Sequence, residues 1–73
     1  ETFFQIFTDN TEMITIRLYN VMGKQVREIN QRLFKDNTAL IKLNMENLPS
    51  GVYLYRINGE KNIIHKGKML LIK

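Results

Sequence analysis

Residues 13–19 alternate strictly. Ile14, Ile16 and Leu18 fall on one side and Thr15, Arg17 and Tyr19 on the other, the period-2 signature of a half-buried strand. Residues 38–45 repeat the pattern, with Ala39, Ile41, Leu43 and Met45 sharing a face while Lys42 and Asn44 look outward. In residues 52–57, Tyr53, Tyr55 and Ile57 share one side and Val52, Leu54 and Arg56 the other, so both sides are expected to be partly covered, as in a sandwich. Between these runs stand turn signals. Asn20 and Gly23 suit the first and last positions of a type I turn. Pro49 presets the second position of another such turn, for which Gly51 suits the fourth. Asn58-Gly59 is the pair favoured in a two-residue type I′ hairpin, which predicts that residues 52–57 pair antiparallel with residues 61–65.

One segment reads two ways. Met22, Val26, Ile29 and Leu33 recur at helix-like intervals, and Gln25, Arg27, Glu28 and Arg32 are good helix formers. No N-cap residue stands directly before them, however, and Gly23 interrupts the first turn of the pattern. We read a strand beginning near Lys24, a reading helped by the resemblance described below. Turn signals near Asp9-Asn10, Asn20, Asp36, Pro49 and Asn58-Gly59 recur at about 8–12 residues, the spacing of a sandwich or barrel. The expected fold is all-β, an immunoglobulin-like antiparallel β-sandwich of about seven short strands, in one domain spanning residues 1–73.

Composition narrows the function classes. A 73-residue chain buries only about 60% of its unfolded surface, so its core is expected to be thin. Cysteine is absent, which removes disulfides and thiolate metal sites from consideration. No apolar run is long enough for a membrane-spanning helix, and the first residues lack the basic and long apolar parts of a secretory signal. The chain begins without Met, so it is expected to be a fragment of a longer protein. A net charge of +4 favours anionic partners weakly and serves solubility equally well.

Candidate chemistry is sparse. With one histidine, one serine and scattered carboxylates, the chain offers no convergent catalytic set, and an enzyme is not expected. Ser50 belongs to the Pro49–Gly51 turn signal rather than to a nucleophile elbow. His65 has no second histidine at ligand spacing, so neither a metal nor any other cofactor is expected. Phe3, Phe4, Phe7, Tyr19, Tyr53 and Tyr55 read as β-core aromatics rather than as a stacking platform for single-stranded nucleic acid. The end of the chain is the least ordinary part. It combines Lys61, Lys66, Lys68 and Lys73 with the apolar run Met69, Leu70, Leu71 and Ile72. Lysine on an outer strand guards against edge-to-edge aggregation, yet such a strand is also open to strand addition or to a weak homodimer.

Three separated blocks carry a resemblance. Leu48, Pro49, Gly51 and Tyr53 match a Leu-Pro-x-Gly-x-Tyr segment; Tyr19, Asn20, Gly23, Lys24 and Val26 match an aromatic-Asp/Asn-x-x-Gly block; Lys68 to Lys73 match a closing lysine-flanked apolar block. In this order and spacing they resemble the type A C-terminal sorting domain of the bacterial type IX secretion system, over roughly residues 13–73. The resemblance implies an immunoglobulin-like sandwich that directs an attached N-terminal cargo through the type IX translocon. The route runs by way of the periplasm to the outer-membrane surface or the medium, with the domain usually removed by a cell-surface sortase. It implies translocon recognition by Pro49, Gly51, Tyr53, Lys68, Met69, Leu70, Leu71, Ile72 and Lys73. Two departures stand out: the Asn-Pro pair of the family's first strand is absent, leaving Phe3 to Thr8 without a role, and Gly67 interrupts the approach to Lys68. The other class the residues allow is an immunoglobulin- or fibronectin-like accessory module beside an enzyme, touching carbohydrate through exposed Tyr53 and Tyr55 or binding protein.

Overall fold

The computed structural model describes residues 2–8 and 10–72. Six strands form in it: β1 (Thr2–Thr8), β2 (Glu12–Tyr19), β3 (Gln25–Leu33), β4 (Asn37–Leu43), β5 (Gly51–Asn58) and β6 (Ile63–Leu71). They make two antiparallel sheets, β1-β4 and β3-β2-β5-β6. This is the all-β sandwich expected from the sequence, with six strands where about seven were expected.

The alternation in β2 explains the packing. Ile14, Ile16 and Leu18 are completely buried, each contributing roughly 1.5–3 kcal/mol of apolar burial as an upper bound. From the facing sheet come Phe4, Ile6, Ala39 and Ile41, packed on a cluster that includes Ile14, Ile16, Leu33 and Ile57. A second cluster unites Leu18, Leu43, Met45, Leu48 and Tyr53, with Met69 and Leu71 against it. β1 thus gains a role that the sequence left unassigned: Phe4 pairs with Ile41 and Ile6 with Ala39 on the core side, while Phe3 and Phe7 face out.

The β2–β3 turn forms as its residues predict. Gly23 N–H donates to the Asn20 carbonyl at 3.0 Å, and the Asn20 side-chain oxygen accepts from the backbone N–H groups of Met22 and Lys24. Gly23 takes φ of 84°, a left-handed value that costs glycine nothing. β3 is a strand, not a helix. Two other turns differ from expectation. The hydrogen-bonded turn before β5 spans residues 45–48, with Leu48 N–H donating to the Met45 carbonyl and Asn47 at φ 67°. Asn tolerates that conformation, so the reversal is complete before Pro49. Asn58-Gly59 does not make a two-residue loop: Asn58 pairs with Ile63, and Gly59 N–H donates to the Asn62 carbonyl. Glu60 accounts for the longer loop, since its carboxylate accepts from Met13 N–H and its own N–H donates to Glu12. Lys61 and Asn62 consequently lie in the loop. Asp9, named above in a turn signal, lies outside the described residues.

Gly67 lies inside β6. It does not interrupt the end of the chain, because β6 runs unbroken across it, directly opposite Tyr55. The Tyr55 ring occupies the space a side chain would fill: a Cβ on Gly67 would stand 2.7 Å from the Tyr55 hydroxyl and 2.9 Å from Cζ. Phe4, with its ring centroid 5.0 Å away, and His65, whose Nε2 lies 3.0 Å from the hydroxyl, hold that ring from two sides. An aromatic laid over a strand glycine restores the packing the glycine lacks. Gly67→Ala is therefore expected to lower stability by about 1–2 kcal/mol in urea unfolding, and the loss should shrink when Tyr55→Leu opens the space.

Candidate functional site

The motif blocks meet at one end of the four-stranded sheet. Along the β5–β6 pair, Gly51 lies opposite Leu71, Val52 opposite Leu70, Tyr53 opposite Met69 and Leu54 opposite Lys68. On the other side of β5, Tyr19 lies opposite Leu54. Residues about fifty positions apart in sequence thus share one patch, with the turn at Gly23 beside it. Tyr19, Gly23, Leu54, Arg56, Lys66 and Lys68 border a hollow of about 450 Å³ there.

Each predicted site residue has a distinct place. Pro49 is exposed and Leu48, just before it, is buried in the second cluster. Tyr53 is only 4% exposed, and its hydroxyl donates to the Pro49 carbonyl at 2.5 Å. A tyrosine that opens a strand and bonds back to the backbone just upstream is the tyrosine corner of immunoglobulin-type sandwiches. It gives the Leu-Pro-x-Gly-x-Tyr spacing a physical reason: Leu48 anchors the segment, Gly51 starts the strand, and Tyr53 reaches back four residues to close the bend. Met69 and Leu71 face inward onto the second cluster. Lys68, Leu70 and Ile72 are exposed. Lys73 lies outside the described residues. β6 is an edge of its sheet, so one side of its backbone is unpaired with any other described strand.

Sequence reasoning missed Arg27. Its guanidinium donates to the carbonyls of Val26, Asn44 and Glu46, tying β3 to the segment that follows β4. The planar fork of arginine suits several acceptors at once. Only the third dimension reveals this, because the partners are 17 and 19 residues away. On the outer face, Arg17 pairs with Glu28 at 3.0 Å. The hydrogen bond from Arg17 holds the Glu28 carboxyl below the ordinary glutamate range, against a smaller opposing effect of desolvation and with help from the Arg17 charge and from Gln25 and Asn30.

The arrangement offers little to catalysis. Ser50 precedes the start of β5 while His65 faces Ile57 near its end, a separation of roughly 20 Å along the strands. Among the described residues, no three His, Cys, Asp or Glu side chains gather as a metal site. Among the described residues, no helix is long and apolar enough to cross a membrane. Glycan contact through a pair of exposed tyrosines also loses its footing, since Tyr53 is buried and Tyr55 packs on Phe4.

Comparison with known proteins agrees with the family resemblance that the motif blocks carry. A family model described as a secretion system C-terminal sorting domain matches residues 1–73, including the β1 region that carries none of the three motif blocks. No curated protein and no solved structure matched the chain. Tyr53→Phe keeps the ring and deletes the bond to Pro49. It is expected to cost about 1 kcal/mol in chemical unfolding and to accelerate amide hydrogen exchange in residues 48–52 more than in β2.

Proposed function

From the chain's membership of the secretion system C-terminal sorting domain family, we propose that the type IX export apparatus grips this domain at the end of the sheet where β5 begins and β6 finishes. The domain is a sorting signal for type IX secretion, and its role is to direct an attached cargo across the outer membrane to the cell surface or the medium. Membership of a sorting-signal family implies a non-enzymatic role. Residues 1–73 are read as a single sorting domain belonging to a longer exported protein, with a cell-surface sortase acting on the product.

The observation that carries the reading is the convergence of the motif blocks. Pro49 and Gly51 stand at the rim of the same patch that holds Lys68, Leu70 and Ile72. Tyr53 contributes by holding the bend, not by touching a partner, since it is buried. Lys68, Leu70 and Ile72 are the contact side, while Met69 and Leu71 keep the strand seated on the core. The unpaired edge of β6 is suited to strand addition, in which main-chain bonds give affinity and alternate side chains give choice.

The test is a reporter with its own signal peptide, fused ahead of residues 1–73 in a type IX host. Full-length fusions are expected at the surface or in the medium, and fusions ending at Gly67 in the periplasm. Because removing Met69 and Leu71 also strips core contacts, a second variant, Lys68→Glu with Leu70→Asp and Ile72→Asp, changes outward positions only. It should lose export while keeping its β circular dichroism. Export of both variants at the full-length level would refute recognition through this strand.

A further inference from the structure

The outer face of the four-stranded sheet carries an unusual row of charge. Arg17 lies opposite Arg56 across β2–β5, and Arg56 lies opposite Lys66 across β5–β6. Three cations therefore stand side by side on neighbouring strands, at a strand spacing of about 4.8 Å. Like charges directly opposite one another destabilise a sheet. Arg17 is offset by Glu28, but among the described residues Arg56, Lys66 and Lys68 pair with no carboxylate. The guarding of an edge strand accounts for lysines on β6. It does not account for Arg56, which sits on an interior strand.

Beyond the cationic row the face changes character in steps. The next row is Tyr19, Leu54 and Lys68; the one after it is Val52 and Leu70; and Ile72 follows. Leu54 and Val52 are each 42% exposed and Leu70 64%, an apolar strip left open to solvent next to unneutralised charge. Such a strip beside a hollow is the mark of an interaction surface and not of a solubilising one. Successive rows are two residues apart along the strands, about 6.6–6.8 Å, which is also the repeat of same-side residues in any extended peptide.

We propose that this face docks an extended segment of a partner protein whose alternate residues are first acidic and then apolar, the acids meeting Arg56, Lys66 and Lys68 and the apolar side chains meeting Leu54, Val52 and Leu70. The proposal deepens the export reading by stating the chemistry of the partner, and it rests on that reading for its biological setting. Charge complementarity selects an acidic segment, and the order of the rows sets its polarity along the sheet. Arg17 stays with Glu28 and frames the acidic end.

The probe is a fluorescein-labelled peptide, Glu-Thr-Glu-Thr-Leu-Thr-Val, titrated with the 73-residue domain in fluorescence anisotropy at low salt. Replacing both Glu by Gln, or substituting Arg56→Ala with Lys66→Ala, is expected to weaken binding by about tenfold or more. Added salt should weaken the parent complex further. An all-acidic peptide, with Glu in place of Leu and Val, should also bind less well than the parent. Equal binding by the Gln peptide or by the double variant, with circular dichroism unchanged, overturns the proposal. Equal binding by the all-acidic peptide overturns it too, since charge alone would then suffice. No binding of the parent peptide, in a domain whose full-length fusion is exported and whose outward tail variant is not, would remove this proposal and leave the export reading standing.

Discussion

Register is the constraint from which the remainder of this small sandwich follows. β5 lies between β2 and β6, and its inward residues Tyr53, Tyr55 and Ile57 connect both core clusters. A slip of one residue would turn all three outward and drive Arg56 toward the core. An unpaired buried guanidinium costs several kcal/mol, more than a thin core can offset. Two local devices hold β5 in place. The Tyr53 hydroxyl fastens its start to Pro49, and the Tyr55 ring fills the gap above Gly67 on β6. The same register brings Pro49, Tyr19 and Lys68 to one end of the sheet and aligns Arg17, Arg56 and Lys66 across it.

Sequence and structure agree where alternation is clean and a turn depends on nearest neighbours. β2 and β5 show this, as does the Asn20–Gly23 turn, whose Asn oxygen and glycine φ are set within five residues. Agreement fails where a distant contact overrides a local preference. Asn58-Gly59 has the composition of a tight hairpin, but Glu60 is drawn to β2 and lengthens the loop. Pro49 looks like the corner of a turn, but Asn47 has already reversed the chain. β1 resisted reading because Phe3, Phe4 and Phe7 show no alternation, and only Phe4 of the three meets the core. Gly67 read as a break because its compensation, the Tyr55 ring, comes from another strand.

The candidate site was legible as residues before it was legible as a surface. Each motif block could be read along the chain, but not that the blocks share a patch, nor that Tyr53 supports the patch from beneath. Arg27 and the cationic row were invisible for the same reason, since their partners are set by register and by contacts between sheets. The proposed recognition calls for a surface that is rigid and chemically uneven. Here rigidity comes from the inward side of β5 and β6, and unevenness from the outward side of the same two strands.

The most direct test of this account is the register of β5 against β6 in solution, read from cross-strand nuclear Overhauser contacts between backbone protons of the labelled domain. The account predicts contacts joining Leu54 with Lys68 and Tyr55 with Gly67. Contacts displaced by one residue, joining Tyr55 with Lys68 or Leu54 with Gly67, would contradict it.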